Sequence, residues 1–327
     1  MPSYAIYGLS IQSDSPIPPL VPGEPGECRI LFTRMPYPNS NPPSEWCCHW
    51  PSDTGEDWLS LAKGSHGHYL RFADLGDFEI TPAGDQITYY AARSPASDET
   101  VSHLLLDHVL PRLLSLGDCL VVHASSVCNG RGALLLMGES GRGKSTLAAA
   151  LSLAGASIVT DDCLILRQDQ GIHWAIPSYP GLRLWDDVIP QAFRGAGDWT
   201  RVADYSDKKR ISEGSYPIHF QRTPVPICLG FVLAAEEEGS CDGIVEKRLS
   251  LRDALLSIVQ HSYVMDPNDP VLLDRQLRLA ENLVRRIPIA TLRYRRALSQ
   301  LPGLVSEVLG RLPGAPTVVS PSRSDEP

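Results

Sequence analysis

The sequence predicts an α/β fold, with a small β-rich N-terminal region ahead of a larger domain organised around a glycine-rich loop. Three observations predict it. Residues 1 to about 95 fall into short β-prone runs separated by Pro and Gly. Ala133–Met137, an apolar run of strand length, leads into a Gly-rich octapeptide and then an Ala- and Leu-rich helical run. The composition, 43% hydrophobic and 20% charged over 327 residues, supplies core side chains for about two domains.

The N-terminal domain spans residues 1–98. Tyr4–Leu9 and Cys28–Phe32 read as strands, and Tyr69–Phe72 and Asp77–Ile80 show the alternation of half-buried ones. Pro82–Asp85 has turn chemistry and precedes the β-prone run Gln86–Tyr90. Pro36–Pro43 reads as a loop, and His66 and His68, flanking Gly67, as a solvated turn. Residues 99–118 form a connecting helix: Leu105, Val109 and Leu113 recur at i, i+4 and i+8, with Leu106, Leu110 and Leu114 beside them. Pro111 kinks or divides that helix, and Gly117 ends it.

The second domain spans residues 119–312. Cys119–His123 is a strand, Asn129–Gly132 a turn and Ala133–Met137 a second strand. The helix after the loop stops at Gly155, and Ala156–Thr160 returns as a strand ending in Asp161-Asp162. Cys163–Arg167 and Ile172–Ile176 flank a turn as a hairpin. Ile227–Ala234 and Ile289–Arg293 read as strands; Leu251–Gln260, Val271–Arg286 and Leu304–Leu312 read as helices. The Pro- and Ser-rich residues 313–327 read as a disordered tail.

The residues from Gly138 to Ser145 match GxxxxGK[ST], with a strand before and a helix after. Glycines let successive N–H groups point at phosphate oxygens, and the helix start adds its positive end. The cradle comprises Gly138, Glu139, Ser140, Gly141, Arg142, Gly143, Lys144, Ser145 and Thr146. Lys144 suits the β- and γ-phosphates of a nucleotide, and Ser145 suits Mg²⁺. Two adjacent carboxylates at the next strand end, Asp161 and Asp162, offer two roles: one binds Mg²⁺ and one accepts a proton from an attacking hydroxyl. His123 reaches the phosphate region if its strand pairs with Ala133–Met137; otherwise it is a packed core residue. Arg183, and the loop cluster Lys208-Lys209-Arg210, are candidate phosphate or substrate contacts, set against the plain alternative of a solvated charged face.

A net charge of −9 argues against broad nucleic-acid binding. The N-terminus has no basic start or apolar run of a secretory signal, and Leu104–Leu116 is too short and too charged to span a membrane. Eight cysteines without a CxxC pair read as reduced thiols, so the expected location is cytoplasmic. No NKxD, LSGGQ-like, HRD or DFG element is present.

Taken together, His123-Ala124-Ser125, Leu134–Gly138, Ser140–Leu147 and Asp161-Asp162 resemble the catalytic domain of HPr serine kinase/phosphorylase. The resemblance extends to the HPr-kinase-like proteins of bacterial peptide-biosynthesis clusters, which include kinases of the C-terminal residue of lasso peptide precursors. Tyr7-Gly8-Leu9, Ser13–Leu20, Leu106–Leu116 and Pro180–Trp185 are similar to segments of those proteins, so it covers roughly residues 4–310. It implies a P-loop kinase domain of the HPr kinase/phosphoenolpyruvate carboxykinase type, using ATP and Mg²⁺. The implied reaction transfers the γ-phosphoryl group to a serine hydroxyl of a peptide or small protein, and a homo-oligomer is possible in such a family. It implies that His123 and Asp161 work at the reacting hydroxyl, with Asp161 as base and Asp162 or Ser145 at Mg²⁺; which aspartate is the base stays open. The glycine-rich segment of true HPr kinases has no clear match here, so HPr as substrate, phosphorolysis and a hexamer are not carried over. A small-metabolite kinase and a nucleotide-gated peptide-binding module remain alternatives.

Overall fold

The computed structural model describes residues 1–23, 29–37, 42–52, 55–186, 199–211, 214, 216–234, 244–294 and 301–313. The tail expected at 313–327 lies outside them except for Pro313, as does much of the Pro36–Pro43 loop. The architecture is mixed α/β with two large sheets.

The first sheet has eight strands: β1 (Ser3–Ile6), β2 (Leu9–Ser13), β3 (Ile30–Met35), β4 (Cys48–Pro51), β5 (Asp57–Gly64), β6 (Gly67–Phe72), β7 (Gly76–Ile80) and β8 (Gln86–Ala91). They lie in the order β1-β2-β3-β8-β7-β6-β5-β4. The run Tyr4–Leu9 is two strands rather than one. Tyr7 (φ 55°) and Gly8 (φ 73°) make the left-handed pair of a tight turn, and Ile6 pairs with Leu9 across it. His68 also departs from expectation: the β5–β6 hairpin closes already at Gly64 and Gly67, so His68 joins the ladder opposite Lys63 and is buried.

The helical segment comprises α1 (Asp98–Leu104), a π-helical turn (Leu105–Val109) and α2 (Leu110–Leu114). Ser97 caps α1 by accepting from the Thr100 N–H. Pro111 does not divide the segment. The turn before it widens instead, with the Leu110 N–H bonding to the Leu105 carbonyl. The segment is more than a connector: Leu104, Leu105, Leu106 and Leu110 are fully buried. They share one core with Phe32, Leu59 and Phe78 of the first sheet and with Val121 and Ile165 of the second.

The second sheet contains β9 (Leu120–Val122), β10 (Ser125–Cys128), β11 (Ala133–Met137), β12 (Ser157–Thr160), β13 (Leu164–Asp169) and β14 (Ile172–Ile176). A separate three-stranded sheet comprises β15 (Leu182–Trp185), β16 (Trp199–Ala203) and β17 (Ser206–Ile211). The large sheet is completed by β18 (His219–Phe220), β19 (Val225–Leu233), β20 (Val245–Arg248) and β21 (Ile289–Arg293). Its order is β18-β12-β10-β11-β19-β14-β13-β9, with β21 joining β19 to β20. The helices are α3 (Lys144–Leu153), α4 (Leu251–Gln260), α5 (Pro270–Arg286) and α6 (Leu301–Gly310).

The unbroken apolar sequence of β11 has a physical reason. Leu134 and Leu136 pack on one face with Leu147 and Leu151 of α3 and with Leu304 and Val308 of α6. Leu135 and Met137 pack on the other with Ile258 of α4 and Leu283 of α5. A strand covered on both faces has no place for alternating polar residues. The small sheet adds Leu182, Leu184 and Ile211 to the α3 side. No helix among the described residues is long and apolar enough to cross a membrane.

His108 sits on the π turn with its ring 4.7 Å from that of Trp58 and 5.9 Å from that of Phe72. Burial, aided by His103 and Arg112, pushes its pKa well below the ordinary 6.5. The folded chain therefore refuses a proton that the unfolded chain takes up as pH falls through about 6.5. Stability should be insensitive to this group above that pH and decline below it. The thermal midpoint is expected to drop between about pH 7 and pH 5, and His108→Phe should flatten the decline. An unchanged slope in the variant, followed by calorimetry, would show that other groups carry it.

Candidate functional site

Strand β11 brings the chain to Gly138, and α3 carries it away from Lys144. The intervening turn needs Gly138 (φ 147°) and Gly143 (φ 89°) in conformations that side chains disfavour. A Cβ at Gly138 would also stand 3.0 Å from the Leu233 carbonyl oxygen. No side chain caps α3, so its first N–H groups and positive dipole end are left for an anion. Gly143, Lys144, Ser145 and Thr146 line a cavity of about 520 Å³, as do Ser140 and Gly141. That volume is in the range of small-ligand sites.

Lys144 is buried and folds back over the loop, its Nζ donating to the carbonyls of Gly138 (2.8 Å) and Glu139 (3.2 Å). Burial lowers its pKa. Glu139 and Arg142 do not line the cavity; they pair with each other, with Arg142 Nε 3.0 Å from Glu139 Oε2.

The two aspartates after β12 sit in different surroundings. Asp161 is buried with both oxygens engaged. Its Oδ1 accepts from Ser125 Oγ (2.6 Å) and Ser145 Oγ (2.9 Å), and its Oδ2 from the Arg183 backbone N–H (2.9 Å). Burial and the neighbouring Asp162 raise its pKa. Asp162 adopts φ 71° and lines the cavity. Its Oδ2 accepts from Arg183 Nη1 at 2.8 Å, while no described residue hydrogen-bonds its Oδ1. Burial alone would raise its pKa, but Arg183, Lys208 and His123 outweigh it and hold the carboxyl far below the usual range. Ser145 bonds to Asp161 and not to Asp162.

His123 lines the cavity, but by another route than the one expected. Strand β9 pairs with β13, and β10 is the strand that pairs with β11. The chain just past β9 is held by the His123 N–H donating to the His261 carbonyl at 2.7 Å. The ring Nδ1 lies 3.0 Å from the Asp162 carbonyl, an acceptor, which assigns the proton to Nδ1. Burial lowers the ring's pKa to about 4, so it is neutral at pH 7 and Nε2 keeps its lone pair.

The basic cluster expected in a loop lies on β17, because Trp185–Leu182 and Ile211–Lys208 pair as neighbouring strands. Lys208 lines the cavity with its Nζ 5.5 Å over the Trp185 ring. Lys209 pairs with Asp186 at 2.6 Å. Arg210 is buried against Tyr179, and its Nε and Nη2 have no partner among the described residues. Arg183 touches the cavity yet is committed elsewhere: besides Asp162 it donates to the Asp161 carbonyl (3.1 Å) and through Nη2 to Asp107 (2.7 and 2.8 Å). The sequence alone assigns no site role to Asp107, Ser125 or Tyr179. The available signal for Asp107 was a carboxylate inside an apolar helical run, which must find a partner when buried.

The cavity's donors are a hydroxyl, carboxylates, ammonium groups and backbone N–H groups, which fit a hard divalent cation bound together with phosphates. Among the described residues no group of three or more His, Cys, Asp or Glu could hold a metal. Ser145, which lines the cavity with Asp161 hydrogen-bonded to it at 2.9 Å, could share such a cation with phosphate oxygens and water.

No family model matches the sequence. No curated protein matches it. Among solved structures, the chain is similar to the HPr(Ser) kinase/phosphatase from Coxiella burnetii, with 13% identity over 57% of this chain and 93% of that one and a TM-score of 0.31.

Arg183→Leu should expose how tightly the site is held together. It would leave Asp107 and Asp162 facing each other without their shared cation, at an expected cost of about 3–5 kcal/mol. The urea midpoint reports this; a variant as stable as the parent would mean that the carboxylates relax apart.

Proposed function

We propose that the cavity binds ATP with Mg²⁺ and that the chain transfers the γ-phosphoryl group to a serine hydroxyl of a peptide or small protein. A serine at the C-terminus of a precursor peptide is the form of acceptor that the sequence resemblance implies. One observation carries the reading. An uncapped helix start wrapped by a glycine loop, with Lys144 folded over it, shares a single cavity with an ionised, half-free Asp162 and a neutral His123.

In this reading the loop N–H groups and Lys144 hold the nucleotide's phosphates. Ser145, with Asp161 hydrogen-bonded behind it at 2.9 Å, would hold Mg²⁺, which would supply neutralisation of charge on the phosphates. Asp161 does not line the cavity, so the task of serving the acceptor falls to Asp162, which does and whose Oδ1 is open. The acceptor oxygen forms the new P–O bond as the bond between the γ-phosphorus and the bridging oxygen breaks. ADP leaves, and the hydroxyl proton passes to Asp162 Oδ1 or to His123 Nε2. Lys208 is placed to stabilise the transferring group or an acidic acceptor. Positioning and charge neutralisation account for most of the rate in such a scheme.

Labelled ATP, Mg²⁺ and serine-ending precursor peptides test the reading, with an HPr-type protein as a second acceptor. Lys144→Ala should lower transfer by at least about a hundredfold. Asp162→Asn should lower it about 10²- to 10⁴-fold while ATP still binds. Undiminished labelling by both variants, or no labelling of any acceptor by the parent with ATP bound, overturns it.

A further inference from the structure

We infer that Asp107, which lies outside the cavity on the π turn, is a positioning residue for the reaction: it anchors Arg183 so that Asp162 keeps one carboxylate oxygen free. The inference rests on the phosphoryl-transfer reading and adds a residue to it.

Asp107 is buried and saturated with donors. Its oxygens accept from Arg183 Nη2 at 2.7 and 2.8 Å, from the Tyr179 hydroxyl at 3.0 and 3.2 Å, and from His103 Nδ1 at 2.7 Å. Tyr179 also accepts from Arg183 Nη2, which closes a ring of three polar groups. Arg183, with 1% of its side chain exposed, has no water to turn toward. Its other amino group, Nη1, is divided between Asp162 Oδ2 (2.8 Å) and the Asp161 carbonyl (3.1 Å).

This division is what Asp107 secures. A guanidinium prefers to grip a carboxylate with two parallel N–H groups. With Asp107 in place, Nη2 is occupied, and Asp162 receives only Nη1 on only one oxygen. Without the Asp107 charge, the cation's strongest remaining partner is Asp162, and a two-pronged grip would close Oδ1 to the acceptor. The loop is linked to Arg183 through Ser145, Asp161 and the Arg183 backbone N–H, a path that does not use the guanidinium or Asp107, so the loss should fall on turnover rather than on ATP binding.

The test measures ADP release from Mg·ATP by the full chain with a serine-ending peptide as acceptor, and Kd for a fluorescent ATP analogue alongside. Asp107→Asn keeps the shape and removes the charge; it should lower kcat about ten- to a hundredfold with KM and Kd within about twofold. If Asp107 acts only through Asp162, the Asp107→Asn/Asp162→Asn double variant should be no slower than Asp162→Asn alone. A kcat equal to the parent's, a loss confined to ATP binding, or fully multiplicative effects in the double variant overturns the inference. If Asp107→Asn does not fold, Tyr179→Phe decides the matter, since it loosens Asp107 and leaves the ion pair intact; an unchanged kcat there overturns it equally. A parent chain that binds the analogue but releases no ADP in the presence of the acceptor peptide would instead sink the transfer reading itself.

Discussion

The buried guanidinium of Arg183 is the interaction on which the site depends. A cation with 1% of its side chain exposed is tolerable only where carboxylates surround it, and Asp107 and Asp162 do so from opposite ends. Their charges outweigh the effect of burial and keep Arg183 firmly protonated. Such an arrangement adds little net stability over an apolar core, because desolvation offsets most of the attraction. Its effect here is geometric. One side chain links the π turn, the acidic pair after β12 and strand β15, and its backbone N–H fixes Asp161 as well.

That geometry lets two adjacent residues of the same type differ in chemistry. Asp161 lies among hydroxyls and a backbone N–H, buried beside another carboxylate, and its proton affinity rises. Asp162, one residue on, takes a left-handed backbone conformation that turns it to the cavity and to three cationic or polar neighbours, and its proton affinity falls. Environments that push paired acids apart are how one site obtains two roles from one residue type. The open oxygen lies on the second aspartate; the resemblance implied the first as base but left the choice between the two open.

The parts that were legible in the sequence are those governed by local rules. The strand–loop–helix unit at Ala133–Leu153 could be read because glycine conformation, apolar runs and helix starts are decided within a few residues. The hairpin at 164–176 and the strand at 289–293 were legible for the same reason. What could not be read depended on distant partners. Lys208, Lys209 and Arg210 look like a solvated loop until β15 and β16 are found on either side of β17. His68 looks like part of a turn until the register of β5 and β6 is known. Asp107 contributes a single charge to an apolar helix, and its partner lies 76 residues away.

The first sheet then bears on the site through the π turn. Its Phe32, Leu59 and Phe78 pack in the same core as Leu105 of the π turn and as Leu104 and Leu110, which flank that turn on either side. A close-packed core transmits displacement, because its side chains have few voids into which to relax. A shift of that sheet would move the turn that carries Asp107, and through Arg183 the carboxylate that faces the cavity. Strand β13 closes the same path from the other side, since Ile165 joins this core while Leu164 and Leu166 face the one beneath α5. The N-terminal region is therefore part of the support on which the acidic pair is held, and the spacing between Asp107 and Asp162 is set by packing on both sheets at once.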